Sequence, residues 1–221
     1  MKIEYLKLYS SNLEKQKEFY GDLLGLAIKS KSEKSFQVQI GYSVLEFEEK
    51  ERATNYHIAF HIPARQEEQA LEWLLQRTMI LKDGDDSIVD FPGWKAKSVY
   101  FYDADKNIVE FISRRHYFQE ESNLFSEKSI VGISEIGLAT DDVEEKFRFL
   151  NSNCGLQKFT GDYERFCATG DDEGLFIVIN KNMKDWIPTG DKAFASPFKI
   201  MFSVEQASYQ VGFQNDRLEL L

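Results

Sequence analysis

Alternating and periodic runs of apolar positions divide the chain into short strands and helices. Tyr5-Leu6-Lys7-Leu8-Tyr9 has large side chains on both faces of an extended segment and reads as a strand. An apolar stripe at helical spacing follows it. Ser11 with Glu14 has the spacing of a capping box, in which the hydroxyl accepts a first-turn N–H and the carboxylate reaches back. Gly25 falls where a helix ends on a left-handed residue. The whole series then recurs. Residues 5–26 (YLKLYSSNLEKQKEFYGDLLGL) align without a gap on residues 135–156 (EIGLATDDVEEKFRFLNSNCGL) at an offset of 130, matching Leu8/Leu138, Glu14/Glu144, Phe19/Phe149, Gly25/Gly155 and Leu26/Leu156. In the second copy Asp141 and Glu144 take the capping spacing.

A weaker version lies between the copies. Tyr56–Ile62 reads as a strand ended by Pro63, and residues 65–80 as a helix with Leu71, Leu74, Leu75 and Thr78 on one face. Strands follow near 97–102 and 107–112, joined by a turn at 103–107. At the end, Phe198–Phe202 resembles Tyr56–Phe60, and Asp216–Leu220 resembles the strand around Glu110. His57 and Glu110 are 53 positions apart, Lys199 and Glu219 only 20, so the fourth unit is expected to lack its helix. The pattern predicts an α+β fold of two module pairs: residues 1–115 as a complete pair, 116–129 as a linker, and 130–221 as a second, degenerate pair with a truncated last module. The linker belongs to a charged, aperiodic stretch (113–129) in which His116 reads as a solvated surface histidine.

Composition narrows the function. The formal net charge of the 221 residues is −10 and no Lys/Arg-rich run exists, which argues against nucleic acid and anionic membrane surfaces as partners. No apolar stretch approaches the roughly 20 residues that span a bilayer. The opening Met1-Lys2-Ile3-Glu4-Tyr5 has no apolar signal core, so a cytoplasmic location is expected. The two cysteines, Cys154 and Cys167, form no C-x-x-C pair and read as free, packed thiols.

The two repeat openings, the strand YHIAFHIP and the segment WKAKSVYFYDADKNIVEFI together resemble the vicinal oxygen chelate superfamily, which includes glyoxalase I, bleomycin- and fosfomycin-resistance proteins and extradiol dioxygenases. The last segment resembles the family's "YF-DPDGN-hydrophobic-E" ending, with Ala104 in place of Pro and Lys106 in place of Gly. The resemblance implies paired βαβββ modules around a cleft, with a divalent metal held by the first and last strand of each module. Carried onto this chain, the first-strand positions are Tyr5 and His57 and the last-strand positions Glu46 and Glu110. The expected ligands are therefore His57, Glu46 and Glu110, with Zn, Ni, Mn or Fe as the ion.

Strand alternation supports ionisable groups on one face: Glu46 is flanked by Leu45 and Phe47, and Glu110 by Val109 and Phe111. Tyr5 departs from the pattern, because a phenol near pKa 10 rarely ligates these ions. A second histidine, required by a dioxygenase triad, is absent unless His61 substitutes. Tyr5, Lys7 and Tyr9 are expected to contact substrate, and Glu46 or His61 to move a proton. In the second half the equivalent positions are Glu135, the apolar strand Phe176-Ile177-Val178, Lys199 and Glu219, which suggests a structural or partner-facing role. The expectation is a glyoxalase- or dioxygenase-like metal-dependent enzyme (lyase, isomerase or ring-cleavage type) for a small oxygen-rich substrate, monomeric or homodimeric. The alternative is a non-catalytic protein that sequesters a small molecule, as bleomycin-resistance proteins do, in an aromatic groove.

Overall fold

The computed structural model describes residues 1–119 and 123–221. The first module comprises β1 (Lys2–Ser10), α1 (Leu13–Lys17) continued by a π-helical turn (Glu18–Leu23), β2 (Ile28–Lys31), β3 (Ser35–Ile40) and β4 (Ser43–Glu49). The second holds β5 (His57–Ile62), α2 (Glu67–Leu75), β6 (Ile80–Leu81), β7 (Val89–Phe91), β8 (Ala96–Tyr102) and β9 (Ile108–Arg114). The third holds β10 (Gly132–Thr140), α3 (Val143–Cys154), β11 (Lys158–Gly161), β12 (Phe166–Asp171) and β13 (Gly174–Asn180). The fourth is β14 (Phe198–Val204), β15 (Ala207–Gln214) and β16 (Arg217–Leu220).

Three modules share one register. The last strand runs parallel beside the first, so that Lys7 faces Glu46, Ala59 faces Glu110 and Gly137 faces Ile177. No helix follows Cys154, as the short spacing predicts. The fourth module differs in a further way. β16 pairs with β15 rather than returning beside β14, which puts Glu219 at the sheet edge instead of in a position like that of Glu110.

The modules pair in nested order. β5 runs antiparallel to β10, joining the second module to the third, while β1 runs antiparallel to β14, joining the first to the fourth. The expected pairs, 1–115 and 130–221, are thus replaced by an inner and an outer pair within one 16-stranded sheet. The charged stretch 113–129 that holds the expected linker is also more integrated than its charge suggests. Arg114 completes β9 with its side chain fully buried, and Phe125 packs on Trp73 and Phe111 at 5.7 and 5.9 Å between ring centres. Residues 120–122 of that stretch lie outside the described residues. His116 is exposed as expected and approaches Asp172 at 3.1 Å.

Alternation along the strands separates two faces. Leu6, Leu8, Ile58, Phe60, Ile136 and Leu138 are buried in the main core, and the intervening residues face the clefts. Of the two predicted caps, the one at α1 does not form and the one at α3 shifts by one residue. Asn12 precedes α1 with no side-chain cap, while Ser10 accepts the N–H of Asn12. Asp142 caps α3 by accepting the N–H of Glu145 at 2.9 Å, which leaves Asp141 to pair with Lys181. Gly25 and Gly155 both end their helical segments at φ 72°. α2 is shorter than predicted, since Arg65 has φ 62° and the Leu74 carbonyl already accepts from Arg77 and Thr78. Its buried stripe is Ala70, Trp73 and Leu74; Leu75 is exposed. Cys154 and Cys167 are free and buried, and burial raises both thiol pKa values.

Candidate metal centre

The inner cleft is built around Ala59. Its Cα partner on β9 is Glu110 and its partner on β10 is Glu135. Strands lie about 4.8 Å apart, so the two carboxylates flank a residue too small to separate them. His57, two residues earlier on β5, projects from the same face. One ligand atom from each of His57, Glu110 and Glu135 lies within 4.8 Å of the others, and all three residues are buried. Donors on an ion with bonds of about 2.1 Å sit about 3–3.4 Å apart, so the three side chains need to close in only slightly to share one.

Each of these groups is held from outside the cluster. Ser98 on β8 donates to Glu110 Oε1 at 2.5 Å, while Glu110 Oε2 lies 3.2 Å from His57 Nε2. Tyr100 stands directly across from Glu110, and its phenol is pushed far up by burial and by that carboxylate. Arg114 donates to Glu135 Oε1 at 2.6 Å. The guanidinium lies 5.5 Å from the Trp94 ring and 5.9 Å from the Phe159 ring. Glu135 is nevertheless raised to about 8, because burial and the Glu110 charge outweigh Arg114. Trp186 stacks on the His57 ring at 5.1 Å. The indole fits only because Gly137 has no side chain: a Cβ there would lie 2.7 Å from its nearest ring carbon.

The residues present fit a divalent cation. The buried Nδ1 of His57 has no hydrogen-bond partner among the described residues. Burial and the Glu110 charge hold Glu135 toward its neutral acid form, and a cation between the two carboxylates would let both ionise with one guanidinium beside them. One imidazole and two carboxylates suit Zn, Ni, Mn or Fe(II). The fourth corner of the pseudo-two-fold arrangement is Ile177, so three side chains are available and one side stays open. That side opens into a cavity of about 440 Å³, walled by Phe91, Trp94, Tyr100, Phe166 and Trp186.

The outer cleft shows what happens without a small central residue. Lys7 stands where Ala59 stands in the inner pair, facing Glu46 on one side and Lys199 on the other. Its ammonium lies 2.6 Å from Glu48 and 3.3 Å from Glu46, and those contacts raise its pKa, the hydrogen bond to Glu48 most. Glu46 also accepts from Gln37 at 2.5 Å. Burial and the adjacent Glu46 push the Tyr5 phenol up, and burial raises Tyr9.

The expected site is therefore divided. His57 and Glu110 meet in the inner cleft; Tyr5, Lys7, Tyr9 and Glu46 line β1 and β4 in the outer one. Glu46 cannot share an ion with His57, because nesting puts the two in different clefts. His61 does not line the inner cavity. It is fully buried between Tyr117 and Phe118, bonded to the Glu173 carbonyl at 3.0 Å, and burial lowers its pKa to about 3. Glu135, expected in a merely structural half, is the third member of the cluster. The signal for it was its alignment with Tyr5, the first-strand position that His57 takes in the second module; the module pairing needed to use that signal was not legible.

Comparison with known proteins agrees with this architecture. No protein-family model matches the chain, and no curated protein sequence does. Among solved structures, a "putative dioxygenase" from Bacillus subtilis superposes with a TM-score of 0.60 at 14% identity, covering 81% of this chain and 63% of that one. A lactoylglutathione lyase from Agrobacterium tumefaciens gives 0.44 at 19% identity over 52% of this chain and 95% of its own. A glyoxalase/bleomycin resistance protein/dioxygenase from Alicyclobacillus acidocaldarius gives 0.43 at 14% over 52% and 96%. The protein has an α+β, glyoxalase-like fold, shared with the Bacillus protein. It spans less than two thirds of the Bacillus protein's length. No described helix is long and apolar enough to cross a membrane.

Proposed function

We propose that the chain is a metal-dependent enzyme of the glyoxalase/dioxygenase type, acting on a small oxygen-rich substrate in the inner cleft. The observation that carries this reading is the convergence of His57, Glu110 and Glu135 on one buried point at the end of an aromatic cavity. A divalent ion held by these three would act as a Lewis acid on vicinal oxygens. The residues of the chain do the positioning. Ser98 fixes the rotamer of Glu110, Arg114 that of Glu135, and Trp186 the plane of His57, while Tyr100 and the aromatic walls exclude water. One imidazole with two carboxylates departs from the two-histidine, one-carboxylate set of iron oxygenases, which favours isomerase- or lyase-type chemistry over ring cleavage. Neither Glu46 nor His61 is placed to move a proton in this cleft.

One observation favours the second reading, a sequestering protein without chemistry. The 2.6 Å bond from Arg114 already gives Glu135 a cationic partner. Elemental analysis of protein purified without chelator or affinity tag separates the two. A stoichiometric ion that is lost in both His57→Ala and Glu110→Gln supports the enzyme. Protein that takes up no ion even after incubation with Zn²⁺, Ni²⁺, Mn²⁺ or Fe²⁺ overturns it in favour of the binder.

A further inference from the structure

The mouth of the inner cleft has a charge opposite to that of its floor. Arg165, at the start of the turn into β12, and Lys184, in the connection from β13 to β14, both line the cavity. Arg165 is exposed and Lys184 half-buried, whereas His57, Glu110 and Glu135 are buried, which puts the cations at the entrance and the carboxylates at the bottom. Among the described residues neither cation forms an ion pair or a side-chain hydrogen bond. The two lie near enough for Arg165 to depress the Lys184 ammonium, although burial depresses it more. Asp162, the acidic residue beside them, is engaged by the backbone N–H groups of Glu164, Arg165 and Phe166. Lys184 lies over the Phe166 ring at 5.9 Å and Asp162 offsets part of the Arg165 charge, but the two cations on one cavity wall still outnumber that single carboxylate and favour an anion at the mouth.

We propose that the inner cleft takes an anionic substrate, whose carboxylate or phosphate group is received between Arg165 and Lys184 while its uncharged body lies against Trp94 and Trp186. The proposal deepens the reading of this cleft as a substrate site, yet the anion subsite itself does not depend on the ion.

The test uses benzoate and phenyl phosphate against neutral benzamide, followed by calorimetry and by the fluorescence of Trp94 and Trp186. It is run on full-length protein in chelator-treated and metal-loaded form. The better anion should bind at least about tenfold tighter than the amide, with an affinity that falls as salt rises. Which anion wins distinguishes a carboxylate from a phosphate ligand. Arg165→Gln/Lys184→Gln should abolish the preference without changing the melting temperature. The proposal is overturned if neither anion outbinds benzamide up to millimolar concentration, or if the double variant keeps the preference. A preference in chelator-treated protein that never takes up an ion leaves the anion subsite standing and removes the metal enzyme. Ion uptake without any preference does the reverse.

Discussion

Gly137→Ala isolates one contact on which the cleft depends. Gly137 sits in β10 with ordinary extended backbone, so alanine is not strained by conformation. Its Cβ would lie 2.7 and 2.9 Å from two carbons of the Trp186 ring and 3.1 Å from the His57 Cβ. Contacts under 3.0 Å force a displacement, and the indole is rigid, 6% exposed and stacked on His57. Overpacking of this kind destabilises by about 1–3 kcal/mol. Against that, alanine lowers the entropy of the unfolded chain and stabilises by about 0.4–1 kcal/mol where no clash exists. The expected net loss is about 1–2 kcal/mol in urea denaturation followed by circular dichroism. Trp186→Ala alone should cost about 3 kcal/mol or more. Adding Gly137→Ala to Trp186→Ala should then cost nothing or stabilise, apart from a small adjustment at His57, which gives a coupling of at least about 1 kcal/mol. Equal cost of Gly137→Ala in both backgrounds would refute the reasoning, as would a wild-type loss below about 0.5 kcal/mol.

Two further outcomes follow from buried charge. Above about pH 8, where Glu135 is ionised, Arg114→Met should destabilise chelator-treated protein by about 3 kcal/mol, because it removes the cation that holds the buried carboxylate; the loss should be smaller near neutral pH, and Arg114→Met/Glu135→Gln should recover most of it in the same denaturation assay. His61 has a folded pKa near 3, below its unfolded value near 6.5, so its contribution is complete above pH 6.5 and is lost as pH falls from there toward 3. The stability difference between wild type and His61→Gln should therefore shrink on acidification, by up to about 1.4 kcal/mol per pH unit, and a difference that stays flat between pH 7 and about 4.5 would count against it.

Local features were legible where local chemistry decides them. The offset of 130 holds at α1 and α3, whose first residues are Leu13 and Val143, and both glycine stops hold at Gly25 and Gly155. The capping expectation fails at α1, where Asn12 makes no side-chain cap and Ser10 accepts the Asn12 N–H outside the helix, and moves by one residue at α3, where Asp142 accepts the Glu145 N–H. His57 and Glu110 were legible as ligands because both belong to one module, where strand alternation fixes their faces. Glu135 and Glu46 were exchanged because which modules pair is decided by long-range packing between β5 and β10, and no local pattern reports that. The residues that distinguish the two clefts are nonetheless in the sequence: Ala59 and Gly137 leave the inner floor open, while Lys7 fills the outer one with an ammonium group.

The nested order of the modules also has a kinetic side. β5, β9 and β10 come from one uninterrupted stretch of chain, whereas Tyr5 meets Met201 only after nearly the whole chain has been looped back on itself. Closing so long a loop forfeits entropy before any contact offsets it. Loop-closure entropy therefore predicts the inner cleft as the earlier event and the outer pair as a late clamp. During synthesis, His57, Glu110 and Glu135 can be assembled on a growing chain before the strand that seals β1 has been made.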